Sequence, residues 1–392
     1  MTEIDLARVR AETRGCEDVI HFNNAGASLP PMQVADHLYA YLRDEEVKGG
    51  YETADMRRDE LEHFYVAVAR LLNAAPEEIA FVENATRAWD MAFYAFPLQP
   101  GDRILTTVAE YGSNLIAYLQ QARKTGAELV VVPNDAHGQI DLDQLEALID
   151  ERVKLISISH IPTGGGLVNP AAEVGRIARK HGIPYLLDAC QSAGQVPLDV
   201  EQLGCDMLSV TGRKYLRGPR GTGFLYVRKN WIERLEPPLL DQHAADLIDG
   251  EKFVIRPDAR RFENWERFFA GQAALGTAVD YAMEIGLEAI QERVFALAAT
   301  LRAGMAEIPD IRVTDEGAVK CGIVTFQHDR LGCRDVKVAL GQQGINVSTS
   351  SGPGMKLSYM ARGLEAGLVR ASVHYYNSEP ELERFLSVLR TL

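Results

Sequence analysis

The loop between two apolar runs near the middle of the chain carries a lysine, Lys214, that could act as a nucleophile. Residues 207–210 and 223–227 are short and apolar, and such runs predict buried strands. Three arginines share the loop with the lysine: Arg213, Arg217 and Arg220. Their charge would favour the neutral amine, which is the form that attacks a carbonyl carbon. The alternative is a basic loop that merely lies in water.

A carboxylate, Asp188, ends another apolar run and opens the sequence DACQSAGQ. A carboxylate at the tip of a buried strand is costly without a cationic partner, and a protonated pyridine nitrogen is one candidate for that partner. Thr86 and Thr211 lie at loops and helix starts, where hydroxyls and backbone N–H groups can bind a phosphate. Tyr111, in another loop of this kind, could lie flat on an aromatic ring.

The elements that must position these residues follow an α/β pattern. Short apolar runs alternate with helical patterns, which is typical of a mostly parallel sheet covered by helices on both faces. Ligands of such sheets bind at the carboxyl ends of the strands. The loops that carry the candidate residues all follow an apolar run directly: 84–86, 111–114, 160–163, 188–191 and 211–214. We therefore expect these loops to meet at one edge of the sheet.

The pattern changes after residue 227, and a chain of 392 residues is long enough for two domains that share a site. Residues 236–266 contain prolines and many charges, which indicates an irregular excursion over the surface or towards a partner subunit. We predict three parts: an N-terminal segment at 1–20 that packs with the small domain, a large cofactor-binding domain at 21–284, and a small α+β C-terminal domain at 285–392.

The composition argues against several classes of function. The chain has 41 Lys and Arg against 55 Asp and Glu, a formal net charge of −14, which makes nucleic acid or an anionic membrane a poor partner. The N-terminus has no apolar signal region, and no window reaches the roughly 18 apolar residues of a membrane span. The five cysteines are scattered, which predicts reduced thiols in a cytoplasmic protein, with neither a disulfide frame nor a metal site.

Most of the chain, from residues 23–26 to residues 369–372, resembles the class V aminotransferase superfamily of pyridoxal-phosphate enzymes with fold type I. The superfamily includes cysteine desulfurases, isopenicillin N epimerase-like proteins, kynureninase and ergothioneine-pathway C–S lyases. The most specific parts of the resemblance are Asp188, Gln191, Lys214, the glycine-rich residues 218–223 and the strand with Arg370. The resemblance implies pyridoxal 5'-phosphate as cofactor, an amino acid as substrate and a homodimer.

The resemblance also implies a role for each candidate residue. Lys214 would hold the cofactor covalently, Asp188 would pair with its ring nitrogen, and Tyr111 would cover its ring as the third catalytic residue. Arg370 would pair bidentately with the substrate α-carboxylate, and Asn24 would also contact the substrate. The other cofactor-binding residues would contact the phosphate or the ring hydroxyl: Ala85, Thr86, Thr163, Gln191, Thr211 and Arg213.

Residues 348–360, STSSGPGMKLSYM, depart from the desulfurase pattern. In desulfurases this loop carries the cysteine that forms a persulfide, and here it contains no cysteine. Without a thiolate to accept the sulfur, a cysteine desulfurase mechanism is disfavoured. We expect instead β-elimination at a carbon–sulfur bond, as in a hercynylcysteine sulfoxide lyase. Epimerisation of the isopenicillin N epimerase type and transamination are the alternatives.

Two further alternatives depend on other parts of the chain. An inactive regulator or carrier that binds pyridoxal phosphate would have no use for both Lys214 and Arg370. A nucleotide-binding enzyme would need a glycine-rich loop from strand to helix, and residues 164–166 lack the G-x-G-x-x-G spacing. Residues 261–266 are predicted to lie either near the site of a partner subunit or on plain surface.

Overall fold

Fifteen strands, most of them short, build the sheets of the part of the chain that the structure describes. The computed structural model describes residues 4–392, with the backbone alone at residues 352 and 353. The strands in chain order are β1 (Ile20–His21), β2 (Ile79–Val82), β3 (Arg103–Thr107), β4 (Glu128–Val132), β5 (Val153–Ser159), β6 (Tyr185–Asp188), β7 (Met207–Thr211), β8 (Gly223–Val227), β9 (Ala245–Leu247), β10 (Phe253–Ile255), β11 (Ile311–Val313), β12 (Ile323–His328), β13 (Ile345–Asn346), β14 (Ser348–Ser350) and β15 (Leu368–Ser372).

Helices alternate with the strands through most of the first half of the chain. The α-helices in chain order are α1 (Leu6–Ala11), α2 (Met32–Lys48), α3 (Gly50–Met56), α4 (Arg58–Leu72), α5 (Ala85–Phe93), α6 (Gly112–Thr125), α7 (Leu142–Ala147), α8 (Ala171–His181), α9 (Val200–Leu203), α10 (Lys229–Ile232), α11 (Phe269–Ile285), α12 (Leu287–Ala306), α13 (Cys333–Gly341), α14 (Lys356–Arg362) and α15 (Glu379–Leu389). Among the helices of residues 4–392, none combines the length and apolar composition needed to span a bilayer.

The central sheet has seven strands in the order β2-β8-β7-β6-β5-β3-β4, and β8 alone runs antiparallel to the others. Alternate residues of one strand enter two different apolar clusters. Phe81 packs with Phe64 of α4 in one cluster, whereas Ala80 packs with Trp89 of α5 in the other. Both faces of the sheet are therefore buried under helices, which explains why its strands are apolar throughout. The predicted α/β fold type I architecture, with a mostly parallel sheet, is confirmed.

Strands β3, β5, β6 and β7 are parallel, so their carboxyl ends lie at the same edge of the sheet. The loops that follow these strands begin at residues 108, 160, 189 and 212. The start of α5, which follows β2, lies at this edge too, since Val82 of β2 pairs with Gly223 at the start of the antiparallel β8. The predicted meeting of these loops at one edge is what the structure shows.

A second sheet, with the antiparallel order β11-β12-β15-β14, lies in the C-terminal part of the chain. The N-terminal part of the chain contacts the same region, because β1 pairs in parallel with β13. Arg10 of α1 also donates to the Glu381 carboxylate over 2.9 Å and to the Tyr376 carbonyl over 3.0 Å. Helices α11 and α12 lie in the chain between the strands of the first part and the strands of the second sheet, and the predicted boundary at 284/285 stays a prediction. The first three residues of the predicted N-terminal segment lie outside the described part.

Two segments differ from their predicted form. Residues 236–266 include a hairpin of β9 and β10, in which Leu247 pairs with Phe253, and residues 348–360 include β14 and the start of α14. These elements are three to seven residues long and lack the alternation or length that marks a strand or helix in a sequence.

Part of the charged run at 261–266 is neither surface nor interface, because Arg261 and Glu263 are buried inside their own chain. Arg261 donates to the Ile232 carbonyl over 2.7 Å, and Glu263 accepts from the Tyr65 hydroxyl and from the Phe81 N–H. Internal partners of this kind satisfy buried charges without a second subunit, and a run of charged letters does not reveal them.

Candidate active site

Lys214 lies in the turn between β7 and β8 and faces a cavity of about 180 Å³ at the carboxyl edge of the central sheet. The turn is closely packed: a Cβ atom on Gly212 would meet the Thr222 hydroxyl oxygen at 2.3 Å. The cavity is lined by Asn84, Ala85, Thr86, Tyr111, Ser159, Ile161, Thr163, Asp188, Cys190, Gln191, Thr211, Arg213 and Lys214. The structure thus brings eight of the predicted site residues to the same cavity as Lys214.

The environment of Lys214 favours the neutral amine, mainly for a different reason from the one the sequence suggested. Burial is the largest cause that lowers the pKa of Lys214; Asp188 and Cys190 oppose this shift, and the positive charges of Arg213 and Arg370 add to it. Arg217 and Arg220 are not among the main causes of the lowered pKa of Lys214. Three neighbouring arginines were predicted to favour the neutral amine, and of these only Arg213 contributes to the lowered pKa of Lys214.

Arg217 is a structural residue, and Arg220 is exposed. The Arg217 guanidinium lies 4.5 Å from the ring centre of Tyr376 and donates to the Tyr375 hydroxyl over 2.7 Å and to the Leu29 carbonyl over 2.8 Å. Aromatic faces and neutral oxygens stabilise this buried cation in place of a carboxylate. Arg217 therefore joins the lysine loop to the N-terminal and C-terminal segments.

Asp188 ends β6 with both carboxylate oxygens fixed. Oδ1 accepts from the Cys190 N–H over 2.9 Å, and Oδ2 accepts from Nδ2 of Asn114 over 3.1 Å. The side chain is almost fully buried, yet no lysine, arginine or histidine in residues 4–392 lies within ion-pair distance of it. The cationic partner that the sequence predicts is therefore not supplied by these residues. A buried carboxylate without a cation suits the protonated ring nitrogen of a pyridine cofactor.

Hydrogen-bond donors from two segments, 84–86 and 211–213, line the cavity. The Asn84 side chain caps α5 by accepting from the Arg87 N–H, and the N–H groups of Ala85 and Thr86 have no acceptor within the helix. The Thr211 hydroxyl and the Arg213 guanidinium also line the cavity, although Arg213 donates in addition to the Gly26 carbonyl. A helix start, a hydroxyl and a guanidinium are the groups that bind a phosphate.

A chain of hydrogen bonds connects Arg370 to the cavity through Thr163. The Arg370 guanidinium donates to the Thr163 carbonyl over 3.1 Å and to its hydroxyl, which also accepts from Nε2 of Gln191 over 3.1 Å. Two buried atoms of these side chains have no hydrogen-bond partner within residues 4–392: Nε of Arg370 and Oε1 of Gln191. Because a buried guanidinium without a carboxylate is costly, the arrangement suits an incoming anionic substrate group and a ring hydroxyl.

Asn24 does not line the cavity, so the structure adds no support to its predicted contact with the substrate. Its side chain is completely buried, and Nδ2 donates to the Ser372 carbonyl over 2.8 Å and to the His21 carbonyl over 3.0 Å. Its Oδ1 accepts from the Tyr376 hydroxyl. The amide is thus fully used in joining the N-terminal turn to the C-terminal segment, which explains why an amide-rich turn occurs there.

Tyr111 precedes α6 and keeps 37% of its surface exposed while lining the cavity, as a ring that covers a cofactor requires. Sequence reasoning chose this loop for Tyr111 and overlooked two buried polar neighbours, Glu110 and Asn114, which contact Tyr111 and Asp188 respectively. Their position directly after β3 was a usable signal, because polar residues at the carboxyl end of a parallel strand lie near the site.

The segment without cysteine packs beside the cavity. A Cβ atom on Gly164, next to Thr163, would meet Cγ of Met355 at 2.7 Å and the Tyr359 hydroxyl at 3.0 Å. Both of these side chains are buried, and the Tyr359 hydroxyl donates to Oγ of Ser350 over 2.7 Å. The side chains of this segment that pack beside the cavity are therefore a thioether and a phenol, whereas a desulfurase mechanism was expected to need a thiol there.

The arrangement fits pyridoxal phosphate. The chain offers an amine of lowered pKa, an unpaired buried carboxylate for the ring nitrogen, donors for a phosphate and a ring residue in Tyr111. Each comes from a loop at the carboxyl edge of the central sheet.

Several known proteins similar to the chain are named cysteine desulfurases. The chain is 31% identical over 382 residues to a probable cysteine desulfurase of Synechocystis, an alignment that covers 95% of this chain and 90% of the relative. A probable cysteine desulfurase of Pyrococcus abyssi is also 31% identical, with 98% and 96% covered. The solved apo structure of a cysteine desulfurase from Thermococcus onnurineus has a TM-score of 0.92 at 28% identity, with 100% and 98% covered.

These relatives contradict the predicted reaction. β-Elimination of the sulfoxide lyase type was expected, with epimerisation or transamination as alternatives, and a desulfurase reaction was disfavoured because residues 348–360 contain no cysteine. Relatives that match along nearly the whole chain are named for the reaction that this expectation disfavoured. One missing residue in one short segment was therefore too narrow a basis for choosing the reaction.

The family model for class V aminotransferases matches residues 20–385, almost the entire chain. The match confirms the resemblance found in the sequence and the cofactor that it implied, pyridoxal 5'-phosphate. The protein therefore belongs to the class V aminotransferase family of pyridoxal-phosphate-dependent enzymes.

Proposed function

We propose that the protein removes sulfur from cysteine: it breaks the Cβ–Sγ bond, passes the sulfur to an acceptor thiol and leaves alanine. The observation that carries this proposal is the shared name of relatives that align with nearly the whole chain, cysteine desulfurase. The reaction balances as cysteine plus a thiol giving alanine plus a persulfide. When bound, pyridoxal phosphate supplies the electron sink that such bond cleavage requires.

Each residue at or next to the cavity would have a role that follows from its position. Lys214 would hold the cofactor, and its amine, whose pKa burial lowers, would carry protons to and from the substrate. Arg370 would orient the substrate through its α-carboxylate, with Thr163 holding the guanidinium in place. Asp188 would keep the ring nitrogen protonated, and Tyr111 would cover the ring.

The phosphate and the ring hydroxyl would engage the remaining residues of the cavity. We assign the phosphate to the start of α5, at Ala85 and Thr86, and to Thr211 and Arg213. Gln191, whose Oε1 has no partner within the described chain, would accept from the ring hydroxyl.

The acceptor thiol, in this proposal, comes from outside the chain. Residues 348–360 contain no cysteine. Cys190 lines the cavity, but burial raises the pKa of its thiol far above the usual range, so that the thiolate needed to take up sulfur is scarce. A small-molecule thiol or the thiolate of another protein is then the acceptor.

The test is to incubate the holoenzyme with cysteine, with and without dithiothreitol as acceptor, and to measure alanine, sulfide and pyruvate. We expect alanine and sulfide in equal amounts, formed faster with dithiothreitol and not formed by Lys214→Ala. Pyruvate in place of alanine would contradict the proposal. Equal rates with and without the acceptor, together with loss of activity in Cys190→Ser, would contradict the external acceptor.

We also propose that the protein is a homodimer. Four large apolar side chains of the β9–β10 hairpin are exposed, as is Trp265: Leu247, Ile248, Phe253 and Val254. A patch of this kind is typical of a protein interface. Light scattering should give twice the mass of one chain, and Phe253→Glu should lower the measured mass. A single-chain mass for the unmodified protein would contradict this proposal. Residence in the cytoplasm stays a prediction.

A further inference from the structure

Glu110 is a buried carboxylate next to the cofactor cavity. It is 2% exposed and accepts four hydrogen bonds, all from neutral groups. The donors are Oγ1 of Thr106 at 3.1 Å, the Tyr111 N–H at 2.6 Å, Nδ2 of Asn114 at 3.1 Å and Oγ of Ser159 at 2.6 Å. Within residues 4–392 no cation lies at ion-pair distance from it. An uncompensated buried carboxylate is costly to keep, so a role for it is expected.

Asn114 joins Glu110 to Asp188. The same nitrogen, Nδ2 of Asn114, lies 3.1 Å from Oε1 of Glu110 and 3.1 Å from Oδ2 of Asp188. An amide nitrogen carries two hydrogens, so each carboxylate receives one. Since the other oxygen of Asp188 accepts from the Cys190 N–H, the plane of this carboxylate is fixed from two sides. The position of Asp188 thus depends on a group that does not touch the cavity.

We infer that Glu110 is a positioning residue that acts on the cofactor through Asn114 and Asp188. It orients the Asp188 carboxylate, and its negative charge, one hydrogen-bonded amide away, strengthens the hold of Asp188 on the proton of the ring nitrogen. Only the kinetic measurement that tests this inference rests on the proposed function. The spectral measurement does not, because the absorbance of the bound cofactor reports the charge of Glu110.

The charge of Glu110 changes in the neutral range. Burial raises the pKa of Glu110 to about 7, the hydrogen bond from Ser159 lowers it, and the negative charge of Asp188 raises it. The titratable groups that face Glu110 are Asp188 and Tyr185 from β6 and Tyr118 from α6. For both tyrosines burial raises the pKa well above the usual range, so they stay neutral there. The influence of Glu110 on Asp188 should therefore grow as the pH rises through 7.

The test compares Glu110→Gln with the unmodified holoenzyme by the visible absorbance of the bound cofactor as a function of pH. Removing the negative charge makes the positively charged form of the cofactor less stable, so the midpoint of the spectral titration should fall by about one pH unit. With cysteine as substrate, kcat should fall about tenfold while KM changes little, as expected for a group that acts on the ring and not on substrate binding.

Two further variants separate this role from a merely structural one. Glu263→Gln removes another buried carboxylate, which accepts from Tyr65 and Phe81, contacts His243 and does not line the cavity, and it should leave the midpoint unchanged. Asn114→Ala keeps the Glu110 side chain and breaks its connection to Asp188, so it should lower kcat and shift the midpoint less than Glu110→Gln does. This second variant also decides the matter if Glu110→Gln does not fold.

An unchanged midpoint in both Glu110→Gln and Asn114→Ala, with lowered melting temperatures, would overturn the inference and leave Glu110 a structural residue. A normal spectral shift without any alanine from cysteine would overturn the proposed function and leave the inference standing. The two failures are therefore distinguishable.

Discussion

The two edges of the central sheet differ in whether their charged side chains have partners of opposite charge. At the amino edge three carboxylates have cationic partners: Asp206 and Glu201 lie beside Arg228, and Asp150 lies 2.7 Å from Arg152. At the carboxyl edge Asp188 and Arg370 are buried, and neither has a partner of opposite charge within the described residues. Paired charges contribute to folding, whereas unpaired buried charges are costly unless a ligand compensates them. The difference marks the carboxyl edge as the functional one.

Cavity volume alone would place the functional site at the amino edge. A groove of about 850 Å³ opens at the amino edge, lined in part by Asp102, Asp150 and Lys154. The cavity at the carboxyl edge is smaller, at about 180 Å³. In this protein the unsatisfied chemistry of the lining residues identifies the site better than the volume of the opening does.

The largest effect should come from Lys214→Ala, which removes the proposed cofactor-holding amine. Alanine formation should fall at least about a thousandfold, and the visible band of the bound cofactor should disappear. Folding should be unaffected or slightly favoured, because a buried amine is removed. A variant that retains the band would show that this edge does not hold the cofactor through Lys214.

Glu110→Gln should change the pH dependence of stability. The neutral form of Glu110 is favoured in the folded protein, so its contribution to the free energy of unfolding is complete below about pH 4.5 and is lost as the pH rises through about 7. The shift corresponds to about 3 kcal/mol. Urea unfolding at pH 5 and pH 8 should show this extra loss in the unmodified protein but not in the variant. Equal losses would mean that Glu110 is compensated like the carboxylates of the amino edge.

Arg370→Lys should raise KM for cysteine about thirtyfold, because lysine keeps the charge but cannot bind a carboxylate bidentately. Stability should change little, since Arg370 has no carboxylate partner to lose. Steady-state kinetics with cysteine and a melting curve would check both parts. A KM within a factor of about two of the original would assign the substrate carboxylate to another residue.

The smallest effect is expected at the amino edge. Arg228→Ala removes the partner of Glu201 and Asp206 and should lower the free energy of unfolding by about 1 kcal/mol. It should leave kcat and KM unchanged, which makes it the matched control for Arg370→Lys. A loss of activity in Arg228→Ala would remove the contrast between the two edges.

The apolar strands and the residues at their ends were predictable from sequence, because burial on both faces leaves a nearly continuous apolar run and the parallel order places the following loops together. Lys214, Asp188 and the Thr163 loop were found in this way. The resemblance to a known family supplied Arg370, whose side chain enters from a strand of the second sheet.

The sequence could not reveal contacts between side chains that are distant in the chain. The shared amide of Asn114 connects Glu110, in the loop after β3, to Asp188 at the end of β6, and the tyrosines around Arg217 come from two separate segments. The resemblance implied that Asn24 contacts the substrate. Only the fold shows that backbone carbonyls already occupy its amide.

The pairing of β1 with β13 also has a consequence for synthesis. His21 and Asn346 are 325 residues apart, yet they lie in paired strands. At a translation rate of 5–20 residues per second, β1 is made roughly 15–65 s before its partner strand. Contacts this distant in sequence form late in folding, because a long loop must close first. During synthesis β1 therefore lacks its partner strand until β13 has left the ribosome.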